Sequence, residues 1–368
     1  MVTLAVIAFL VALLTAVIIV RGGYGRKVRY DGDRPQRFHS GSVSRLGGVA
    51  LALGTMVAWL AAAALEPEIS PLNVHITPAF ALALVAMSLP AVMGGIAEDL
   101  TQRLRVSYRL MLTGVTAALA CWLLELSVPS VGIDWLNGPM AAMPWFGVGL
   151  AFLAICGLPH AFNIIDGYNG LAAFVALAIC AALVHVGLQA NDRMLAGTVV
   201  CMAGATAGFL IWNYPRGLLF AGDGGAYLWG VVIAVCSIML VKRNADVSPW
   251  FPMLLLIYPV WETFFSIYRK AARGSSPGVA DALHFHQLIY RRIVRGVFHD
   301  DEARRMLMRN NRTSPYLWGF TLLTVLPAVL FWQNTPVLMG FCALFVLSYV
   351  YAYIAIIRFK VPRWIRKK

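Results

Sequence analysis

Uninterrupted apolar runs of about 20 residues, each able to cross about 30 Å of hydrocarbon as a helix, recur along the whole chain. Backbone N–H and C=O groups find no partner in lipid outside their own segment, so each run must be helical. The runs cover roughly residues 2–20, 46–65, 79–97, 108–127, 143–162, 170–189, 194–212, 225–241, 250–268, 315–333 and 337–357. They predict an all-α polytopic membrane protein of about eleven transmembrane helices, with residues 1–368 forming one integral membrane domain. Composition excludes the alternatives. With 60% of 368 residues hydrophobic and 13% charged, the chain carries more apolar surface than a soluble core of this size buries. The formal charge of +13 does not indicate a nucleic-acid partner, because the cations lie between apolar runs rather than on one soluble face. Cys121, Cys156, Cys180, Cys201, Cys236 and Cys342 all fall inside apolar runs without a CxxC pair, which reads as packing. No basic residue precedes the first run, since Arg21 follows it, and the run reads as a retained span rather than a signal peptide.

Basic residues set the expected orientation. When alternate loops are assigned to alternate sides, 27 of the 30 Lys and Arg residues fall on one face, leaving Arg193, Lys242 and Arg243 on the other. This places the amino terminus outside and the carboxy terminus in the cytoplasm. Residues 269–314 become a basic cytoplasmic loop, and residues 358–368 a basic tail suited to anchoring on anionic lipid.

Polar residues at span ends are costly unless they pair or function, so they carry the functional information. Five clusters qualify, and the loop assignment puts all of them on the cytoplasmic side. The first is Arg34-Pro-Gln-Arg37-Phe-His39 with Ser44-Arg45-Leu-Gly47-Gly48, and the second is Gly94-Gly95-Ile-Ala-Glu98-Asp99 with Arg103, Arg105 and Arg109. The third is His160-Ala-Phe-Asn163-Ile-Ile-Asp166-Gly167-Tyr-Asn169-Gly170, and the fourth is Ala221-Gly222-Asp223-Gly224-Gly225. The fifth joins Arg269 and Arg273 to Asp281-Ala-Leu-His284-Phe-His286-Gln287 and to Arg291-Arg292. Shared sidedness predicts one composite site.

Residue types narrow its chemistry. Glu98, Asp99, Asp166, Asp223 and the Asn163 amide are hard oxygen donors, suited to Mg²⁺ or Mn²⁺ rather than zinc. Arginine forks beside His284 and His286 suit a diphosphate. Gly222, Gly224 and Gly225 at a helix start leave N–H groups open to an anion. Metal, phosphate grips and a membrane together indicate phosphoryl transfer between a nucleotide and a lipid. Each cluster has a plainer reading: interfacial solvation for Glu98-Asp99, turns for Asp-Gly and Asn-Gly, an N-cap for Asp223, and ordinary interfacial histidines. Coincidence on one face favours the functional reading. Two apart, His284 and His286 cannot share a helix face, whereas His284 and Gln287 can. Glu262, deep in the ninth span, is expected to pair inside the bundle and structure the site, while His185 and Glu125 read as packing or snorkelling residues. No P-loop motif occurs.

The clusters resemble, in order, those of the polyprenyl-phosphate N-acetylhexosamine-1-phosphate transferases over roughly residues 25–295. Asn163-Ile-Ile-Asp166-Gly167-Tyr-Asn169-Gly170-Leu-Ala, Gly222-Asp223-Gly224-Gly225 and His284-Phe-His286 carry the likeness. The resemblance implies a Mg²⁺-dependent enzyme of ten or eleven helices in the bacterial inner membrane. It would move N-acetylhexosamine-1-phosphate, GlcNAc-1-phosphate by default, from a UDP-sugar to undecaprenyl phosphate, releasing UMP and starting a lipid-linked cell-surface glycan. A homodimer is also implied. Eleven spans agree with the WecA-like branch. By position, Glu98 and Asp99 look like the family's paired aspartates that orient or deprotonate the lipid phosphate. Asn163 and Asp223 look like metal ligands, and Asp166 and Asn169 like residues holding the nucleotide. His284, His286, Arg269 and Arg273 match diphosphate- or sugar-binding positions, and Arg109 and His39 complete the substrate-binding set.

The chain departs from the family pattern at Glu98, Asn169 and Glu262, each replacing an aspartate, at His160, replacing an asparagine, and at Gln287, replacing a third histidine. The longer Glu98 makes Asp99 the favoured base. Within the same chemistry, phospho-MurNAc-pentapeptide transfer is the alternative, ranked below because Ser44-Arg45-Leu-Gly47-Gly48 replaces that branch's Pro-Thr-x-Gly-Gly. A non-catalytic transporter of the lipid-linked sugar would instead predict mid-bilayer polar residues and an inverted repeat, and neither is visible.

Overall fold

The computed structural model describes residues 1–25, 42–64, 74, 76–274 and 283–358. In chain order its helices are α1 (Val2–Gly22), α2 (Gly47–Ala64), α3 (Pro78–Thr101), α4 (Val106–Leu123), α5 (Asp134–Ala142), α6 (Pro144–Ile165) and α7 (Leu171–Gln189). There follow α8 (Arg193–Asn213), α9 (Gly222–Arg243), α10 (Trp250–Leu255), α11 (Ile257–Ala271), α12 (Phe285–Leu288), α13 (Glu302–Leu330) and α14 (Thr335–Ile357). All except α5, α10, α11 and α12 are long and apolar enough to cross a membrane, giving ten such helices among the described residues. The protein is a multi-pass, all-α membrane protein.

Two expectations change. The span predicted over 250–268 is not one helix: α10 and α11 are separated at Leu256. Pro259 accounts for the break, since it has no N–H for the Leu255 carbonyl four residues back and its ring crowds that carbonyl. Eleven spans therefore become ten continuous helices and one broken one. The span predicted from residue 315 starts at Glu302, where Asp301 Oδ1 accepts from the Ala303 N–H at 2.8 Å as an N-cap. Part of the basic 269–314 loop is thus helical. At 29 residues, or about 44 Å, α13 outruns the hydrocarbon, leaving Arg304 and Arg305 exposed beyond it.

A helix apolar on every side belongs in the middle of a bundle, and α9 is buried at each residue from Gly222 to Val241. Helices α2, α3, α6, α7 and α8 pack around it. At the periphery, α1 turns Leu4, Ala8, Ala12 and Ala16 inward and Val2, Val6, Leu10, Leu14 and Ile18 outward, two stripes four residues apart on opposite faces.

Connections sort into two sets by what they touch. At one end, Arg243 reaches Asp192 at 3.3 Å, Lys242 donates to the Glu125 carbonyl, Trp250 Nε1 donates to the Val131 carbonyl at 2.8 Å, and the Ser248 and Thr335 hydroxyls lie 2.6 Å apart. The other end gathers Arg45, Asp99, Arg109, Asn169, Asp223 and the residues described next. This is the alternation expected from the basic residues, with α10 and α11 together making one crossing.

Candidate active site

The site is built around the first turn of α9. Residues 44–46 and the first turn of α2 lie along 219–221: Phe220 N–H donates to the Ser44 carbonyl at 2.9 Å, Gly47 N–H to the Phe220 carbonyl at 2.9 Å and Gly48 N–H to the Ala221 carbonyl at 2.8 Å. Gly222 then turns the chain at φ +68°, a left-handed conformation in which a Cβ would strike both the Arg45 carbonyl and the Asp99 carboxylate. Gly48 and Gly95 bring α2 and α3 so close that a Cβ on either would collide with the backbone nitrogen of Gly225 or Gly224. Thus the second glycine of each Gly-Gly pair, Gly48 and Gly95, allows contact with the α9 start, while Gly94 makes room for Leu112 of α4.

That start exposes unpaired N–H groups, and Asp99 supplies the acceptors. Its Oδ1 accepts from the Asp223 N–H and its Oδ2 from the Gly224 N–H, both at 3.0 Å, while Arg45 Nε lies 3.2 Å from Oδ1. Asp99 is therefore a cap donated by a neighbouring helix. Asp223 is buried beside it. Arg45 Nη2 donates to its Oδ1 at 3.0 Å, Arg109 Nη1 to its Oδ2 at 2.7 Å, and the Tyr227 hydroxyl stands 3.4 Å from Oδ2. Glu98 faces elsewhere: its Oε2 accepts from the Leu104 N–H at 2.8 Å, closing the turn between α3 and α4.

Asp166 ends α6, half-buried, and receives no hydrogen bond from any described residue. Withdrawal from water pushes its carboxyl up to about 7; the Arg45 charge pulls against this and the Asp223 charge adds to it. Asn163, one turn earlier on α6, is also half-buried. One turn deeper, His160 Nε2 lies 3.1 Å from the Thr113 hydroxyl and its ring meets Tyr227 edge-on at 5.2 Å. Asn169 is buried and tied to α13: its N–H donates to Asn310 Oδ1 at 2.8 Å, its Nδ2 to Asn311 Oδ1 at 2.9 Å, and its carbonyl accepts from Ser314 at 2.6 Å. Asn213 fastens the same loop, accepting from Gly170 N–H at 2.6 Å and donating to the Leu219 carbonyl at 2.9 Å.

The histidines form the far wall. Glu262 is fully buried; its Oε1 meets His284 Nδ1 at 2.9 Å and the Phe285 N–H at 3.2 Å, and its Oε2 accepts from the Tyr349 hydroxyl at 2.7 Å. The expected pairing of Glu262 inside the bundle is present, with His284 as the partner. His284 caps α12 and exchanges hydrogen bonds with Gln287 in a capping box. Because the cap residue has extended rather than helical geometry, the His284 and His286 rings stack, 5.3 Å apart and within 7° of parallel, despite their two-residue spacing. His286 Nε2 points at Gly167, lying 3.3 Å from where a Cβ would stand there, and its ring meets Tyr168 edge-on at 5.5 Å. Arg269 is buried against Phe265 and Tyr353, its guanidinium 5.5 and 5.3 Å from their ring centres, whereas Arg273 is exposed beyond the end of α11. His39, Asp281 and residues 359–368 of the tail lie outside the described residues.

Described residues from each of the five sequence clusters form a connected set, running from Arg45 through Asp99, Asp223 and Asp166 to His286. Arg45 and Tyr227 are new to the inner set. The signal for Arg45 was present in a charged residue at a span entry, while Tyr227 and Tyr349 look like ordinary buried aromatics in the sequence. Among the described residues no three His, Cys, Asp or Glu side chains form an all-protein metal cage. Mg²⁺ needs none, since it keeps several waters and takes one or two carboxylates plus substrate phosphates. Asp166, withdrawn from water without a donor and within electrostatic reach of Asp223, fits such a cation.

Residues 81–241, from α3 through most of α9, match the family model described as Glycosyl transferase family 4. The match covers a little under half of the 368 residues. Relatives of the chain include the probable undecaprenyl-phosphate N-acetylglucosaminyl 1-phosphate transferase of Bacillus subtilis, 24% identical over 76% of this chain and 76% of the relative. The decaprenyl-phosphate N-acetylglucosaminephosphotransferase of Mycolicibacterium smegmatis is 28% identical over 77% of this chain and 73% of its own length. The phospho-N-acetylmuramoyl-pentapeptide-transferase of Moorella thermoacetica is 29% identical over 58% of this chain and 66% of its own length. The matched segment carries Asp99, Arg109, Asn163, Asp166, Asn169 and Asp223, whereas Arg45, His284 and His286 lie outside it.

Proposed function

We propose that this protein transfers a sugar phosphate onto a polyprenyl phosphate, taking N-acetylhexosamine-1-phosphate from a UDP-sugar, GlcNAc by default, and releasing UMP. The observation that carries the reading is the Asp99–Asp223 pair at the α9 start, flanked by two arginines and faced by Asp166. The site lies at the membrane end that collects the basic residues, so the reading makes that face cytoplasmic, with a soluble nucleotide and a membrane-held acceptor meeting there. The amino terminus is then periplasmic and the membrane a bacterial inner membrane.

In the reaction, an oxygen of the lipid phosphate bonds to the β-phosphorus of the donor, and the bond from that phosphorus to the bridging oxygen breaks. UMP leaves with that oxygen. The second pKa of a phosphate monoester is about 6, so the nucleophile is already mostly ionised at neutral pH and needs little help from a base. We accordingly give Asp99 a positioning role, since its oxygens are occupied by the Asp223 and Gly224 N–H groups and Arg45. A Mg²⁺ or Mn²⁺ ion held by Asp223 with Asn163 and Asp166 would supply charge neutralisation for the departing UMP. Arg45, Arg109, His284 and His286 orient the phosphates and screen one anion from the other.

The test is incubation of the purified chain with undecaprenyl phosphate, Mg²⁺ and either UDP-GlcNAc or UDP-MurNAc-pentapeptide, with mass spectrometry of the lipid fraction. Undecaprenyl-diphospho-GlcNAc is the expected product. Product from the pentapeptide donor alone would assign the chain to the branch represented by the Moorella relative.

A further inference from the structure

We infer that Arg45 and Arg109 are the arginines that grip the donor's diphosphate, and that without ligand they are parked on Asp223, the carboxylate a divalent cation needs. The inference rests on the transferase reading above and goes further, assigning the arginines two successive partners.

Three observations carry it. Both Asp223 oxygens are engaged, Oδ1 by Arg45 at 3.0 Å and Oδ2 by Arg109 at 2.7 Å, so a cation approaching either oxygen meets a guanidinium already bound there. The arginines form the outer layer: their side chains are 28% and 23% exposed, against 1% and 4% for the Asp99 and Asp223 carboxylates behind them. An incoming anion meets the arginines first. Finally, the two guanidiniums offset the charge of Asp99 and Asp223, so the closed cluster attracts a lone cation less than the bare carboxylates would.

Joint arrival removes the deadlock. A divalent ion on Asp223 repels both guanidiniums, and a diphosphate offers them oxygens matched to their planar forks. Each ligand then lowers the cost of binding the other, and by linkage the enhancement is the same in either direction. Arg45 sits on the segment along residues 219–221 and Arg109 on α4, so the exchange is made by two side chains from separate elements.

The experiment titrates the purified full chain in detergent with Mn²⁺, followed by electron paramagnetic resonance, alone and with saturating UDP. In the wild type UDP is expected to tighten Mn²⁺ binding by about tenfold, within the usual range of site–site coupling. Arg45→Gln should bind Mn²⁺ alone more tightly than the wild type, because a competitor for Asp223 is gone, and should lose most of the UDP enhancement. Arg193→Gln removes an equal charge from an exposed position at the opposite end of the bundle and should behave as wild type. Should Arg45→Gln fail to fold, Arg109→Gln puts the same question from α4. Wild-type enhancement that survives intact in the arginine variant, or unchanged Mn²⁺ affinity without UDP, overturns the exchange and leaves the transferase reading standing. Absence of Mn²⁺ binding to the wild type, with and without UDP, overturns the cation part of that reading and the exchange with it.

Discussion

Asp99 caps a helix to which it does not belong. Its carboxylate accepts from the Asp223 N–H at 3.0 Å, so the residue proposed to hold the cation is placed by a side chain on α3. Charged acceptors on backbone donors contribute about 1.5–3 kcal/mol each. Asp99→Asn, which turns an amide toward one of those N–H groups, should lower the apparent Tm and cut turnover while leaving the pH dependence of the residual rate unmoved. Loss of the acidic limb of the pH–rate profile would restore Asp99 as the base.

Gly95 allows that capping by letting α3 touch the α9 backbone at Gly224. Gly95→Ala should destabilise the protein by about 3 kcal/mol, the upper end for overpacking, because the obstacle is main chain and cannot rotate away. Thermal unfolding in detergent reads this directly, and a wild-type Tm would show that the helices separate at little cost.

Glu262 orients His284 by its contact with Nδ1. By comparison with carboxylates behind metal-binding histidines, Glu262→Gln should reduce kcat by about 10- to 100-fold. Tyr349→Phe removes only one of the Glu262 hydrogen bonds and should cost less. Equal activity in Glu262→Gln and the wild type would mean that the Glu262–His284 contact serves packing alone.

Asp166 gives a pH prediction with a definite sign. Its carboxyl is raised from 3.8 to about 7 by withdrawal from water, so the native state favours the protonated form. Its contribution to stability is full below pH 3.8 and is lost as pH rises through about 7. Asp166→Asn should therefore raise the apparent Tm at pH 8 in cation-free buffer and leave it nearly unchanged near pH 4, while weakening Mn²⁺ binding at pH 8. A variant less stable than the wild type at pH 8 would contradict the assignment.

Hydropathy alone located the membrane helices, because lipid demands long apolar helices whatever their partners. It missed the break at Leu256, where Pro259 acts on the helical ladder without changing how apolar the run is. Charge distribution foretold that Arg45, Asp99, Asp166 and Asp223 would share one end. What it could not reveal was partner choice. Asn169 reads as a polar turn residue, yet its amide nitrogen donates to Asn311, 142 residues away, and Glu98 is spent on its own turn. Those assignments depend on helix packing, which no local pattern records. His284 and His286 stack because the cap geometry of His284 overrides helical spacing, a detail set by the Glu262 contact from α11.

The most direct test is UMP release from UDP-GlcNAc by the wild type and by Asp223→Ala, with undecaprenyl phosphate and Mg²⁺ each supplied or withheld. Release should require both additions in the wild type and be absent in the variant, whose helical circular dichroism should match the wild type. Full release by a folded Asp223→Ala, or release that ignores the lipid, would contradict the assignment of the α9 start as the reacting centre.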